Sequence, residues 1–172
     1  MFKVILALVA TSVLIFSAEL VLDENKSNVY YVAKKDQFFS TYEMIGVNKV
    51  LSGAISTQGD LISGELKVDA KKFITDSTKR DSNVAEHLNS DTQPFISFIY
   101  TIENSQARGT MTINGVSKDL SFPVVTEAND AGIQIDGNIT IKYTDFGMDT
   151  PSNLILSAHE DLVIGAKLYF NK

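Results

Sequence analysis

Cysteine and tryptophan are absent from this chain, proline occurs three times and histidine twice. Without cysteine there is no disulfide, no zinc–thiolate site, no thiol nucleophile and no lipid-modified N-terminal Cys. A chain of this composition is held by its core alone. His87 and His159 lie far apart, and nothing in their spacing brings both onto one element with a carboxylate, as a metal centre would need. His87 reads as a helix-end hydrogen-bonding residue and His159 as a turn residue. Positive charge is scarce too: 15 Lys and Arg stand against 21 Asp and Glu, a formal charge of −6. Nucleic acid is a poor partner for such a chain, because binding it takes clustered cations that displace counterions. No glycine-rich phosphate loop occurs, and no G-x-S-x-G elbow places a nucleophile. With no oriented constellation of catalytic side chains, neither an enzyme nor a cofactor is expected.

Long apolar runs are missing after residue 18. Before it, Met1-Phe2-Lys3 supplies a positive start and Val4 to Phe16 is almost wholly apolar. Ser17-Ala18-Glu19 then brings small residues and a charge. Residues 1–18 therefore read as a secretory signal peptide, the apolar run being too short to span a bilayer comfortably. The competing reading is an N-terminal membrane anchor. On the first reading residues 19–172 form one periplasmic domain, long enough for a real core, with nothing after residue 18 to anchor it.

What the chain does have is a period of two. Ile133, Ile135, Ile139, Ile141 and Tyr143 alternate with Gln134, Asp136, Asn138, Thr140 and Lys142, the pattern of a half-buried strand. Ile96, Phe98, Tyr100 and Ile102 repeat it, as do Leu162, Ile164, Ala166, Leu168 and Phe170. Eight runs emerge: 28–34, 49–57, 61–70, 95–103, 107–113, 116–126, 132–143 and 160–170. Turn residues such as Asn114-Gly115 separate them, and short links favour antiparallel neighbours with one wet and one dry face. Residues 36–46 instead place Phe38, Phe39, Tyr42 and Ile45 at helical spacing behind Asp36 as an N-cap. Residues 77–90 place Val84 and Leu88 four apart, which predicts a short helix. Eight such strands close as a barrel or fold as a sandwich. A barrel of that size is either filled by its side chains or holds one small ligand.

Three segments carry a resemblance. "KKFITDSTKRDSNVAEHLNSDTQPFISFIYT" (71–101), "GTMTINGVSKDLSFPV" (109–124) and "ITIKYTDFGM" (139–148) occur in that order. Thr75, Arg80-Asp81, His87-Leu88, Pro94, Ile96 and Phe98 match the first part of a family pattern. Gly109, Thr112, Ile113, Gly115, Val116 and Lys118 match its hairpin, and Asp145-Phe146-Gly147-Met148 its last strand end. The chain thus resembles the YceI-like family of exported bacterial lipocalin-type proteins. The resemblance implies an all-β, eight-stranded antiparallel barrel with one or two short helices, periplasmic residence and no reaction. It implies an interior that binds a long-chain amphiphile, a polyisoprenoid or fatty-acid-like lipid. Residues 36–46 depart from the pattern and look like an insertion.

Phe98, Tyr100, Met111, Ile113, Leu120, Phe122, Ile139 and Ile141 are the candidates for a lipid-lined interior. Phe146 and Met148, past a strand end, are candidates for its rim. Lys118 is the anomaly. A two-residue Asn-Gly turn pairs Met111 with Lys118, which sets an ammonium on the apolar side of its strand. Either its stem covers Met111 while the charge reaches water, or it meets an acidic head group at the barrel mouth. The competing reading for the whole chain is a packed, ligand-free barrel serving as an interaction or stress-response module. Asn25 and Asn138 each lie in an N-x-[ST] motif with an acidic residue two before, and are candidate glycosylation acceptors against chance occurrence.

Overall fold

A computed structural model describes residues 18–37, 40–151 and 158–171. The expected signal peptide falls almost wholly outside this range. Ten strands are present: β1 (Ala18–Leu22), β2 (Asn28–Gln37), β3 (Ser40–Asn48), β4 (Leu51–Gln58), β5 (Leu61–Asp69), β6 (Phe95–Glu103), β7 (Gln106–Ile113), β8 (Val116–Asn129), β9 (Gly132–Lys142) and β10 (Ala158–Asn171). Eight of them form a closed antiparallel barrel in the order β1-β4-β5-β6-β7-β8-β9-β10, with β1 pairing back onto β10. The remaining two, β2 and β3, make a hairpin added to β10 beyond β1. Among the described residues no helix is long and apolar enough to cross a membrane.

The alternation read from the sequence becomes a zipped inner face. Along β9 and β10 the partners are Ile141 with Leu162, Ile139 with Ile164, Gly137 with Ala166, Ile135 with Leu168 and Ile133 with Phe170. Each pair sits on the same side of the sheet, because residues directly opposite in an antiparallel ladder share a face. The β7–β8 hairpin turns at Asn114-Gly115, where both residues have positive φ (52° and 74°). That is the turn twist which matches flanking strands, and Gly reaches it at no steric cost. Ile113 accordingly pairs with Val116 and Met111 with Lys118.

Two segments differ from expectation. The described residues of 36–46 belong to strands β2 and β3 rather than to a helix. Nine register pairs run from Val29–Asn48 to Gln37–Ser40, and these ladder bonds outweigh the local helical spacing. Tyr42 and Ile45 consequently project to opposite faces instead of sharing one. Asp36 caps nothing: it accepts a bond from Thr41 Oγ1 at 2.9 Å and meets His159 Nε2 at 2.9 Å. Phe38 and Phe39 lie outside the described residues. The second difference is β1, which was not among the eight runs and replaces β2 in the closed ring.

The expected short helix is present as α1 (Thr78–His87). Ser77 caps it, its Oγ accepting from the Arg80 amide at 3.4 Å, and Asp81 in the first turn accepts from the Thr75 amide and hydroxyl at 2.8 and 2.7 Å. No α1 side chain is fully buried; Val84 and the adjoining Leu88 pack on the core.

Two buried polar residues hold the places where the ring changes partners. Ser27, between β1 and β2, accepts from the Tyr169 amide at 2.9 Å. Asn48, fully enclosed at the β3–β4 junction, donates to the Asp69 carbonyl at 2.7 Å and accepts from the Val50 amide at 2.8 Å. A side chain that satisfies two buried backbone groups is costly to remove, since both are left without partners. Asn48→Ala is therefore expected to destabilise the protein by about 2 kcal/mol, read as a lower urea midpoint at unchanged slope. An unchanged midpoint would deny Asn48 this structural role.

Candidate functional site

The ring's inner face does not close on itself. It surrounds an apolar cavity of about 620 Å³, within the range of ordinary ligand sites. Most of its wall comes from the inward positions of the strands. One end is formed by α1, by β2 and β3, and by the 3₁₀ turn Tyr143–Phe146 that follows β9.

Of the candidates read from the sequence, Phe98, Tyr100, Met111, Ile113, Phe122 and Ile139 line this cavity, and so does Met148. Phe98 stacks between Tyr100 (5.1 Å, 19°) and Phe122 (5.7 Å, 26°), making a continuous aromatic strip along the interior. Four candidates do not line it. Ile141 is buried in the wall, and Leu120 is half-buried against the core. Phe146 is fully enclosed in the 3₁₀ turn, which packs against β8, β9 and β10; its carbonyl accepts from Asn114 Nδ2 at 3.3 Å. This turn sits where β8 and β9 part: their pairing covers only Val124 to Asn129 of β8 and leaves Val116 to Pro123 unpaired on that side. Lys118 belongs to that unpaired stretch and is exposed, away from the cavity lining.

Several polar lining residues were not among the candidates. Tyr31, Lys35 and Tyr42 face inward on the β2–β3 hairpin, while Lys79, Arg80, Asn83 and His87 reach the cavity from α1. The period-two series Tyr31-Ala33-Lys35 did carry a signal for the first group. The α1 residues carried none, because only the placement of the helix over the barrel end aims them inward. Asn83 and His87, four apart, share one helix face.

Burial shapes the electrostatics. It pushes the Tyr31 phenol up to about 12, with the neighbouring Tyr143 adding to the shift, and it pushes Tyr143 up to about 12 as well. Tyr100, the most deeply placed, is raised further by the same cause. Its hydroxyl has no hydrogen-bond partner among the described residues, and neither has His87 Nε2, whose ring meets Tyr143 edge-on at 5.8 Å. Glu and Asp are absent from the described lining. The same residues show no group of three or more His, Asp or Glu suited to a metal ion. The arrangement can exclude water from an apolar chain.

The comparisons with known proteins agree on this architecture. Residues 20–168 match the YceI-like domain. BcnA from Burkholderia cenocepacia superposes with a TM-score of 0.71 at 22% identity, over 86% of this chain and 98% of that one. A polyisoprenoid binding domain from Saccharophagus degradans, implicated in plant cell wall breakdown, gives 0.69 at 15% identity, over 88% and 97%. The Campylobacter jejuni YceI protein gives 0.59 at 20% identity, over 74% and 84%. At these identities the structural likeness establishes the fold. No curated relative matches the sequence.

The raised tyrosines give a signed pH dependence. A phenol that ionises near 10 when unfolded but near 12 when folded favours the native state fully below pH 10. That contribution is lost as pH rises from 10 to 12. Equilibrium denaturation should show this decline, and it should be shallower in Tyr31→Phe and Tyr143→Phe. Identical slopes in all three proteins would show that the two phenols are not the cause. Separately, Tyr100→Phe removes a buried hydroxyl without a partner, so the ligand-free protein should gain about 1 kcal/mol; a loss of that size would mean the hydroxyl is satisfied.

Proposed function

The chain belongs to the YceI-like family, and from that premise we propose that it is a non-enzymatic, periplasmic carrier of a long-chain amphiphilic lipid. The ligand class is polyisoprenoid or fatty-acid-like, and the chain of the lipid occupies the barrel interior. The observation that carries the reading is the 620 Å³ cavity with its apolar wall. A packed, ligand-free module would have no reason to keep such a space, since voids cost lost contacts in the surrounding core. An alkyl or prenyl chain gains about 0.8 kcal/mol for each CH₂ removed from water. A dry barrel therefore retains one without specific polar contacts along its length.

The wall suits a chain of variable shape. Met44, Met111 and Met148 contribute flexible thioethers that adapt to different outlines. Gly137 and Ala166 face one another across β9 and β10 with almost no side-chain volume, which widens the lumen there. Export by the N-terminal segment would place the carrier where membrane-derived lipids need passage through water.

Solvent extraction of the purified protein followed by mass spectrometry tests the reading directly: a stoichiometric long-chain lipid is expected. If none is recovered and none binds when offered, the carrier reading fails and the packed-module reading replaces it. Ala166→Phe is expected to fill the widened section and weaken lipid binding by more than tenfold while the circular dichroism spectrum stays unchanged. Undiminished binding in a folded Ala166→Phe protein would place the chain elsewhere.

A further inference from the structure

We propose that the amphiphile has an anionic head group, held at the cavity end by Lys35 and Lys79 with Arg80 beside them; this rests on the carrier reading above. The protein as a whole is acidic, with a formal charge of −6. Yet every formally charged side chain among the described lining residues is basic: Lys35, Lys79 and Arg80. These come from two elements far apart in the chain, β2 and α1, and the fold alone brings them to one opening.

Three acids on or beside these elements are already engaged. Asp76 is paired with the Arg80 guanidinium and accepts from Tyr42 Oη at 3.3 Å. Asp81 is held by Thr75, and Asp36 by Thr41 and His159. Lys35 and Lys79 form no ion pair with any described residue. Lys35 is half-buried in the cavity lining and has no counter-charge among the described residues. An anion at the end of a chain already seated in the lumen supplies that charge. Arg80, shared with Asp76, contributes less. The ammonium is a compact point charge and takes carboxylate and phosphate alike, so the two head groups are separated by experiment rather than by geometry.

Hexadecanoate, hexadecyl phosphate, hexadecan-1-ol and hexadecyltrimethylammonium share one chain length and differ in head-group charge. Titrated into the delipidated protein at low salt, the two anions are expected to bind at least tenfold more tightly than the alcohol. That preference should shrink as salt screens the opening. The Lys35→Gln/Lys79→Gln double variant should lose at least fivefold of the preference while binding the alcohol within twofold of the parent. Lys118→Gln should behave as the parent does. Equal affinity for anions and alcohol, tighter binding of the cation, or a preference retained by the double variant would each overturn the proposal. If the parent binds none of the four, the carrier reading itself fails, and this inference with it.

Discussion

The closure of the ring by β1 against β10 is the contact on which the rest of the molecule depends. It rests on few pairs, Val21 with Asn171 and Leu22 with Phe170, while the other edge of β1 pairs with β4. Without it β1 and the end of β10 beyond its pairing with β2 would present unpaired backbone edges, and the inner apolar face would open to water. Leu22 and Phe170 are both buried at this point, so the seam is sealed by packing as well as by the ladder. Ser27 and Asn48 do the remaining work on either side of it. Each binds backbone groups that would otherwise be stranded where the chain passes from one partner strand to the next.

Closure also explains the interior. Eight strands enclose more volume than their inward side chains fill, and the small lining residues Gly137 and Ala166 take up little of it. Gly64 serves the packed wall instead: a Cβ there would stand 2.7 Å from Ile55 Cγ2 and 3.1 Å from Tyr100 Cζ. The absent side chain is what lets the Tyr100 ring lie against the wall and stack on Phe98. The proposed carrier needs no reactive group, and its selectivity would come from lumen shape and from the basic side chains of α1 and β2 in the lining.

Much of the fold was legible because a half-buried strand writes its two faces into a period of two. The ladder Ile133 to Ile141, the series Ile96 to Ile102 and the Asn114-Gly115 turn all became what they predicted. The candidates Phe98, Met111, Phe122 and Ile139 reached the cavity because period two and register suffice to choose a face. Residues 36–46 misled, since Phe38, Tyr42 and Ile45 fit a helical stripe locally, while Tyr42 and Ile45 pair with Lys35 and Val32 of β2. β1 was missed because five residues beside an apolar leader leave too short a run for any period to show. Lys118 shared a face with Met111 as counted, but β8 leaves β9 at that level, so facing inward no longer meant facing the cavity.

By itself, then, the sequence determined the all-β class, the antiparallel register of the hairpins, the position of α1 and the dryness of one strand face. These follow from local periodicity and turn chemistry, which act over a few residues. Only the tertiary structure decided that the ring encloses an unfilled cavity, that β1 rather than β2 closes it, and that the lining includes Lys35, Lys79 and Arg80 and not Lys118. Those outcomes depend on how strands distant in the chain are spaced around a closed ring. Volume and charge there are sums over all eight walls, and no single stretch of residues contains them.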